Sequence, residues 1–304
     1  MKFIKSSFEI LDQAPGLDGI YKQIELSGRL SYKSEDKITE DSAKRFVDML
    51  IKRGHTSCLE HSTVYLAVPD TDNNYHAYIK RYCNNPYSVC DYGITINGVP
   101  VGTLCITTNY RVLFENNWLD DLKYLCEATE HHEKRVSVRF ILPRSISHEF
   151  VRHRQFSFMQ ESSRYCCYSS DKFNNELTFI IPYWTNLKEA RYQYWDNDWV
   201  DATDKNKIPD TIIKHFEEDS TDIFLSQCES AEINYKALIN RGCKAQEARE
   251  ILPLCTKTEL IMTGTAEQWK GFFKLRCDKA AHPQARELAI PLKEEFIRRN
   301  LINS

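Results

Sequence analysis

Arg152-His153-Arg154-Gln155-Phe156-Ser157-Phe158-Met159-Gln160-Glu161-Ser162-Ser163-Arg164-Tyr165 places three arginines, a histidine and three serines within fourteen residues. Apolar segments border it on both sides. Upstream, residues 143–151 read as a short helix: proline suits a first helical position, and Ile146, Phe150 and Val151 recur at helical spacing. Downstream, Leu177-Thr178-Phe179-Ile180-Ile181-Pro182 is a short apolar run closed by proline, which reads as a buried extended segment. The arginines are therefore expected at a helix end and on the loop after it, with core holding both sides. A guanidinium is a planar fork that meets phosphate or carboxylate through two parallel hydrogen bonds, and serine hydroxyls and loop amides add further donors. The cluster points to a small phosphorylated ligand. The alternative is a solvated charged loop whose arginines pair with Glu149 and Glu161.

The chain of 304 residues is 42% hydrophobic and 27% charged, long enough to bury one large core or two smaller ones. A net charge of -3, with no basic tail or stripe, argues against nucleic acid as the main partner. No run reaches the roughly 18 apolar residues of a membrane span, and Met1–Lys5 lacks the features of a signal peptide. The 11 cysteines are odd in number and contain no Cys-x-x-Cys pair, so reduced thiols are expected rather than a disulfide framework or zinc ribbon. These features are those of a cytoplasmic protein. Cys166 and Cys167 are read as small packing residues.

Taken in order, residues 17–32 read as a helix that turns at Gly28, and residues 41–53 as a helix with the stripe Ala43, Phe46, Val47, Leu50 and Ile51 stopped by Gly54. Residues 62–68 form a strand by alternation and β-branching. His55, Glu60 and His61 lack the spacing of a helical zinc site and have no evident third ligand, so no metal is expected. Asn97-Gly98 marks a hairpin between two short strands. Residues 105–112 read as a strand or a strand entering a helix, 118–128 as helical, and 135–142 as an alternating strand that feeds the arginine-bearing helix. Beyond it come a polar loop at 201–209 and a long helix at 220–241, whose expected buried stripe is Ile223, Phe224, Cys228, Ala231, Tyr235, Leu238 and Ile239. Thr265-Ala266-Glu267-Gln268 reads as a capping box opening a helix with Trp269, Phe272 and Phe273 toward core or interface, and Pro291 is expected to kink or break the last helix.

Arg152-His153-Arg154, seven further residues, Ser162, and then Arg164-Tyr165 together resemble the signature of the flavin-dependent thymidylate synthases. Residues 28–61, 245–254 and 265–286 resemble the same family in the same order. The resemblance implies an α+β fold: a single domain over 1–304 with a central mixed or antiparallel sheet flanked by long helices, and an insertion at about 69–135. It also implies a homotetramer with sites at subunit interfaces. The implied reaction is reductive methylation of dUMP to dTMP, with methylenetetrahydrofolate as carbon donor and FAD, reduced by NADPH, as hydride donor.

By the same resemblance, Ser31, His55, Ser57, Glu60, Arg152, His153, Arg154, Gln160 and Thr265 approach the flavin. Glu149, Arg152, Gln160, Glu161, Ser162, Ser163, Arg164, Arg249 and Arg276 approach dUMP, with Arg276 as the catalytic residue at the uracil ring. The chain departs from the family at Glu149, where many members have glutamine, and at Gln160, where some have glutamate. Thr265, Glu267 and Gly271 replace an Asn/Arg/Asn pattern that some members use on the flavin. Ser162 has no evident base partner, so it reads as a phosphate or ribose ligand, with a nucleophile as the minority reading. A different class, a nucleotide- or RNA-binding protein without turnover, would also account for the arginine loop. The folate-only synthases need a Pro-Cys nucleophile motif, and no Pro-Cys dipeptide occurs here.

Overall fold

The structure, a computed structural model, describes residues 1–92, 94–96, 99–195, 198–201, 203 and 219–303. The alternating residues ahead of the arginine motif form the strand Arg135–Pro143, paired antiparallel along its whole length with Lys257–Thr265. Ser7–Leu11 joins the free side of the first strand and Ser157–Gln160 the free side of the second, giving an antiparallel four-stranded sheet. Side chains alternate across it, so Val136, Val138, Phe140 and Leu142 share one face with Leu260 and Met262. The helices Ala266–Arg276 and Pro283–Arg298 cover that face with Trp269, Phe272, Phe273, Leu288, Leu292 and Phe296. The opposite face offers Met159 and Ile261 to a second core, built from the helix Gly16–Tyr32 and the strand Val64–Val68.

The mixture of helices and strands is as expected, but one central sheet is not what forms. Among the described residues the strands fall into four sheets. Val64–Val68 pairs with Leu104–Thr108, which also takes Val89–Asp91, so strands of residues 69–135 extend a sheet of their own. The chain bends between Lys2–Ile4 and Ser7–Leu11, and the first of these joins Thr178–Ile180 and Ala190–Trp195 in a mixed sheet backed by the helix Ser220–Asn240.

Other expectations shift locally. The first helix runs through Gly28 to Tyr32 without a turn, because Gly28 leaves room for the Phe46 ring, 2.8 Å from where its Cβ would stand. Ser157–Gln160 is a sheet strand rather than loop. Residues 118–128 hold only a 3-10 turn, Leu119–Tyr124. Ile223 is exposed, and Leu225 takes the buried place ahead of Cys228, Ala231 and Tyr235. The last helix continues past Pro291, which lies on its solvent side, where water can satisfy the carbonyl left without a donor. The strands Ile94–Ile96 and Val99–Val101 pair as a hairpin, while the Asn97-Gly98 turn and nearly all of 201–209 lie outside the described residues. All the cysteines are free, and among the described residues no helix is long and apolar enough to cross a membrane.

Trp269 is fully buried, touches Phe156, Phe272, Phe273 and Phe296, and donates its indole N–H to the Val136 carbonyl at 3.1 Å. Trp269→Ala is expected to lower stability by about 3–5 kcal/mol. Urea unfolding checks this: the midpoint falls while the slope stays constant.

Candidate functional site

The seven-residue helix Arg144–Phe150 organises the cluster. Its first two amides, Arg144 N and Ser145 N, donate to the Thr256 and Leu254 carbonyls at 3.1 Å each, which pins its start to the segment that leads into the strand Lys257–Thr265. Three side-chain tethers leave it at successive turns. Arg144 Nη2 donates to Ser163 Oγ at 2.8 Å. Ser147 Oγ accepts from Gln160 Nε2 at 3.0 Å, and Gln160 also donates to Thr258 at 3.2 Å. Glu149 receives Arg276 twice, Nη1 on its carboxylate and Nη2 on its main-chain carbonyl, each at 2.6 Å. Residues more than a hundred positions apart in sequence therefore meet through one short element.

Arg276 lies at the C-terminal end of its helix, where a cation suits the exposed carbonyls. Its Nε donates to His153 Nε2 at 3.0 Å. That bond uses the lone pair of Nε2 and places the imidazole proton on Nδ1. Burial first, and then the Arg276 charge, push the His153 pKa down to about 4. Three of the five guanidinium N–H groups of Arg276 are thus engaged. The His153 ring leans on Phe272, centroids 5.0 Å apart.

The segment after the strand Ser157–Gln160 turns Glu161 inward and Arg164 outward. The Glu161 carboxylate is buried, accepting from Lys257 Nζ at 2.7 Å and from the Tyr168 hydroxyl at 3.1 Å. Ser162 N donates to the Ser31 carbonyl at 3.0 Å, docking the segment on the end of the first helix. Arg164 is exposed, its guanidinium over the Tyr165 ring, and Tyr165 faces Tyr32. Arg152 and Arg154 are also exposed, and neither guanidinium has a hydrogen-bond or ion-pair partner among the described residues.

The remaining sequence-named residues, apart from Ser31, whose carbonyl holds Ser162, make no hydrogen bond or ion pair with this cluster among the described residues. Arg249, on the 3-10 turn Arg249–Ile251, faces Glu250 at 3.5 Å. His55 and Ser57 are exposed, Glu60 pairs with Arg111, and Ser31 Oγ donates to the Gly28 carbonyl. Thr265 caps its helix, accepting from Gln268 N at 3.2 Å while Gln268 Oε1 accepts from Thr265 N.

Sequence reasoning missed Arg144, Lys257 and Glu259. Lys257 bridges Glu161 and Glu259, and Lys33 reaches Glu259 at 2.8 Å. Burial works against the Glu259 charge, yet Lys257 and Lys33 hold its pKa down at about 2. The one available signal was Lys257 and Glu259 two residues apart on a strand, hence on one face.

Residues 127–299 match the model of a family described as thymidylate synthase complementing protein. The chain is 32% identical over 157 residues to a flavin-dependent thymidylate synthase of Pyrococcus furiosus, a match covering 52% of this chain and 52% of that protein. It is 30% identical over 168 residues to one from a Synechocystis species, covering 54% of this chain and 66% of that protein. The chain thus spans between half and two-thirds of the length of these relatives. Among solved structures, a UMP/dUMP methylase PolB from Streptomyces cacaoi bound with 5-Br dUMP aligns with a TM-score of 0.43 and 15% identity, over 98% of this chain and 93% of that one. A likeness at that level supports no conclusion about fold or ligand.

The neutral His153 has a consequence for stability. Its folded pKa of about 4 lies below the ordinary imidazole value of 6.5, so between these values the unfolded chain takes up a proton that the folded chain refuses. This contribution is constant above pH 6.5 and is lost as pH falls toward 4. His61, buried and pushed down to about 3 chiefly by burial, acts in the same direction. Urea midpoints measured across this range are expected to fall with acidification, and less steeply in His153→Asn. An equal slope in the variant would remove His153 as a source.

Proposed function

The chain belongs to the family described as thymidylate synthase complementing protein, and from that premise we propose that it is a flavin-dependent thymidylate synthase. On this reading it converts dUMP to dTMP, with methylenetetrahydrofolate as carbon donor and FAD, reduced by NADPH, as hydride donor, in the cytoplasm. The observation that carries the reading is the junction of Arg276 with Glu149 and His153, residues that the family resemblance assigned to neighbouring parts of one site.

Arg276 is the proposed catalytic residue. Two of its N–H groups remain available, and a guanidinium at the pyrimidine edge stabilises negative charge as it builds on the ring. Glu149 and His153 fix its plane. Gln160, held by Ser147 and Thr258, is proposed to meet the nucleotide and the flavin from the strand edge. Arg152, Ser162, Ser163, Arg164 and Arg249 would supply donors to its phosphate and ribose. Glu161, whose carboxylate is engaged by Lys257 and Tyr168, is proposed to stand at the nucleotide's edge of the site.

The donor set suits a flavin dinucleotide. Arg152 and Arg154 present exposed guanidinia that match a pyrophosphate, and His55 and Ser57 are likewise exposed. Ser31, Glu60, His153, Gln160 and Thr265 complete the proposed contacts. A bound flavin supplies hydride chemistry that no side chain offers. The protein's part is to orient the ligands and exclude water. A flat cofactor also needs extended apolar walls, which subunit interfaces provide, and Tyr32 and Tyr165 are exposed beside the arginine loop. This supports the homotetramer. Residues 69–135 are read as an insertion within one domain, because their strands share a core with the first helix.

Reconstitution with excess FAD tests the cofactor: the protein should turn yellow, and a protein that retains no flavin sinks the reading in favour of binding without turnover. Arg164→Ala and Arg249→Ala should each lose about ten- to a hundred-fold in dUMP affinity, as expected for one charge-assisted contact, with flavin retention little changed. Ser162→Ala should keep measurable turnover with KM raised more than kcat falls; complete inactivity in a folded, dUMP-binding variant would make Ser162 a nucleophile. Arg276→Lys keeps the charge but loses the fork, and should lower dTMP formation by roughly a hundred-fold or more while NADPH still reduces the flavin. A near wild-type rate in that variant would leave Arg276 a structural residue.

A further inference from the structure

A cavity of about 390 Å³ opens between residues 10–16, the strand Val64–Val68 and the start of Arg135–Pro143. None of the residues proposed above for flavin or nucleotide lines it. Its walls are mixed: Ile10, Ile20, Leu125, Val136 and Leu301 give it an apolar side, and Gln13, Thr63 and Ser137 a polar one. Residues 125–128, from the segment read as an insertion, close one side. Its size falls in the range of roughly 300–1,000 Å³ that holds small molecules.

One basic residue, Arg135, stands among the described residues that line it. Its Nη1 donates to the Ser62 carbonyl and its Nη2 to the Glu60 carbonyl, both at 3.0 Å. No carboxylate pairs with it among the described residues, although burial lowers its pKa to about 10. Arg135 is half-buried, and a charge taken partly out of water with no carboxylate beside it is costly, which favours an anion at this position. Three guanidinium N–H groups remain unused. Beside it, the Tyr65 hydroxyl accepts from Arg135 N at 3.4 Å, and its own proton has no acceptor among the described residues. The neighbouring His61 is held neutral and adds no charge of either sign.

We propose that this cavity binds a small monocarboxylate with an apolar body. The carboxylate lies on the Arg135 guanidinium and the Tyr65 hydroxyl, and the hydrocarbon lies against Ile10, Ile20 and Leu301. A carboxylate offers two in-plane acceptors to the fork, and one negative charge balances the one cation. A phosphate dianion would leave a negative charge over. Asp12 is already paired with Arg299 at 3.1 Å, which leaves its carboxylate outside the Arg135 fork.

Isothermal titration calorimetry on the full chain tests this with benzoate and hexanoate against their neutral isosteres benzamide and hexanamide. The acids should saturate one site per chain, with the amides weaker by about ten-fold or more, the scale of a charge-assisted contact. Tyr65→Phe removes one donor and no packing, and should weaken the acids about three- to ten-fold. Arg135→Lys should weaken them further, and because Arg135 also holds the Ser62 and Glu60 carbonyls, Tyr65→Phe carries the test if the lysine variant does not fold. Arg276→Lys should leave acid binding unchanged. The proposal is overturned by absent saturable binding of the acids, by amides that bind as tightly, or by a Tyr65→Phe variant of unchanged affinity. Loss of acid binding in Arg276→Lys with none in Tyr65→Phe would place the anion at the nucleotide site and equally overturn it.

Discussion

The antiparallel ladder between Arg135–Pro143 and Lys257–Thr265 is the constraint from which the site follows. Pro143 lies opposite Lys257 and Arg135 opposite Thr265, so the helices that follow the two strands start at opposite ends of the same ladder. The nine-residue strands span about 27 Å. The helix Ala266–Arg276 is about 16 Å long and Arg144–Phe150 about 10 Å. Running toward each other over one face of the sheet, they bring their C-terminal ends together along the strand length. Two helix C-termini in contact face each other with unpaired carbonyls and like partial charges. Arg276 resolves both problems: its charge sits between the ends, and Nη2 takes the Glu149 carbonyl. A shift of one residue in the ladder would turn the core side chains out of the interior and move this junction as well.

The opposite face of the sheet holds the second set of charges. Glu161, Lys257, Glu259, Lys33 and Arg139 form a linked group of ion pairs beneath the arginine loop. Such pairs add little net stability, since burial costs about as much as the attraction returns. What they determine is geometry. Lys33 adopts a left-handed backbone at the end of the first helix, and its bond to Glu259 fixes that end against the sheet. Ser31 is thereby placed to receive the Ser162 amide, and Glu161 to anchor the start of the same segment.

Much of this was legible in the sequence where local pattern and tertiary context agree. The alternation at 135–142, the capping box at Thr265 and Gln268, and the stripe Trp269, Phe272 and Phe273 each appear in their expected form. The strand Ser157–Gln160 was not legible, because it is only four residues long and its partner is a hundred residues away. The division into four sheets was equally hidden, since alternation identifies a strand but not its neighbour. At the site, the sequence could name Arg276, Glu149 and His153 but not their junction. Nor could it show that Glu161 points inward, because a carboxylate in an arginine-rich stretch reads as exposed until its lysine is found elsewhere in the chain.

The site divides into polar groups that are held and charges that are free. Arg276, Arg144 and Gln160 are each tied to a strand or to the short helix and have little freedom. Arg152, Arg154 and Arg164 are exposed, and none of their guanidinia is tied to the ladder or to the short helix. Held groups can be aimed at a developing charge without reorganisation at the moment of reaction. Free ones suit phosphates, whose oxygens accept from many directions. On the proposed function this places ring chemistry at Arg276 and phosphate binding on the outer arginines. The fixed guanidinium of Arg276 then needs no movement to meet the ring.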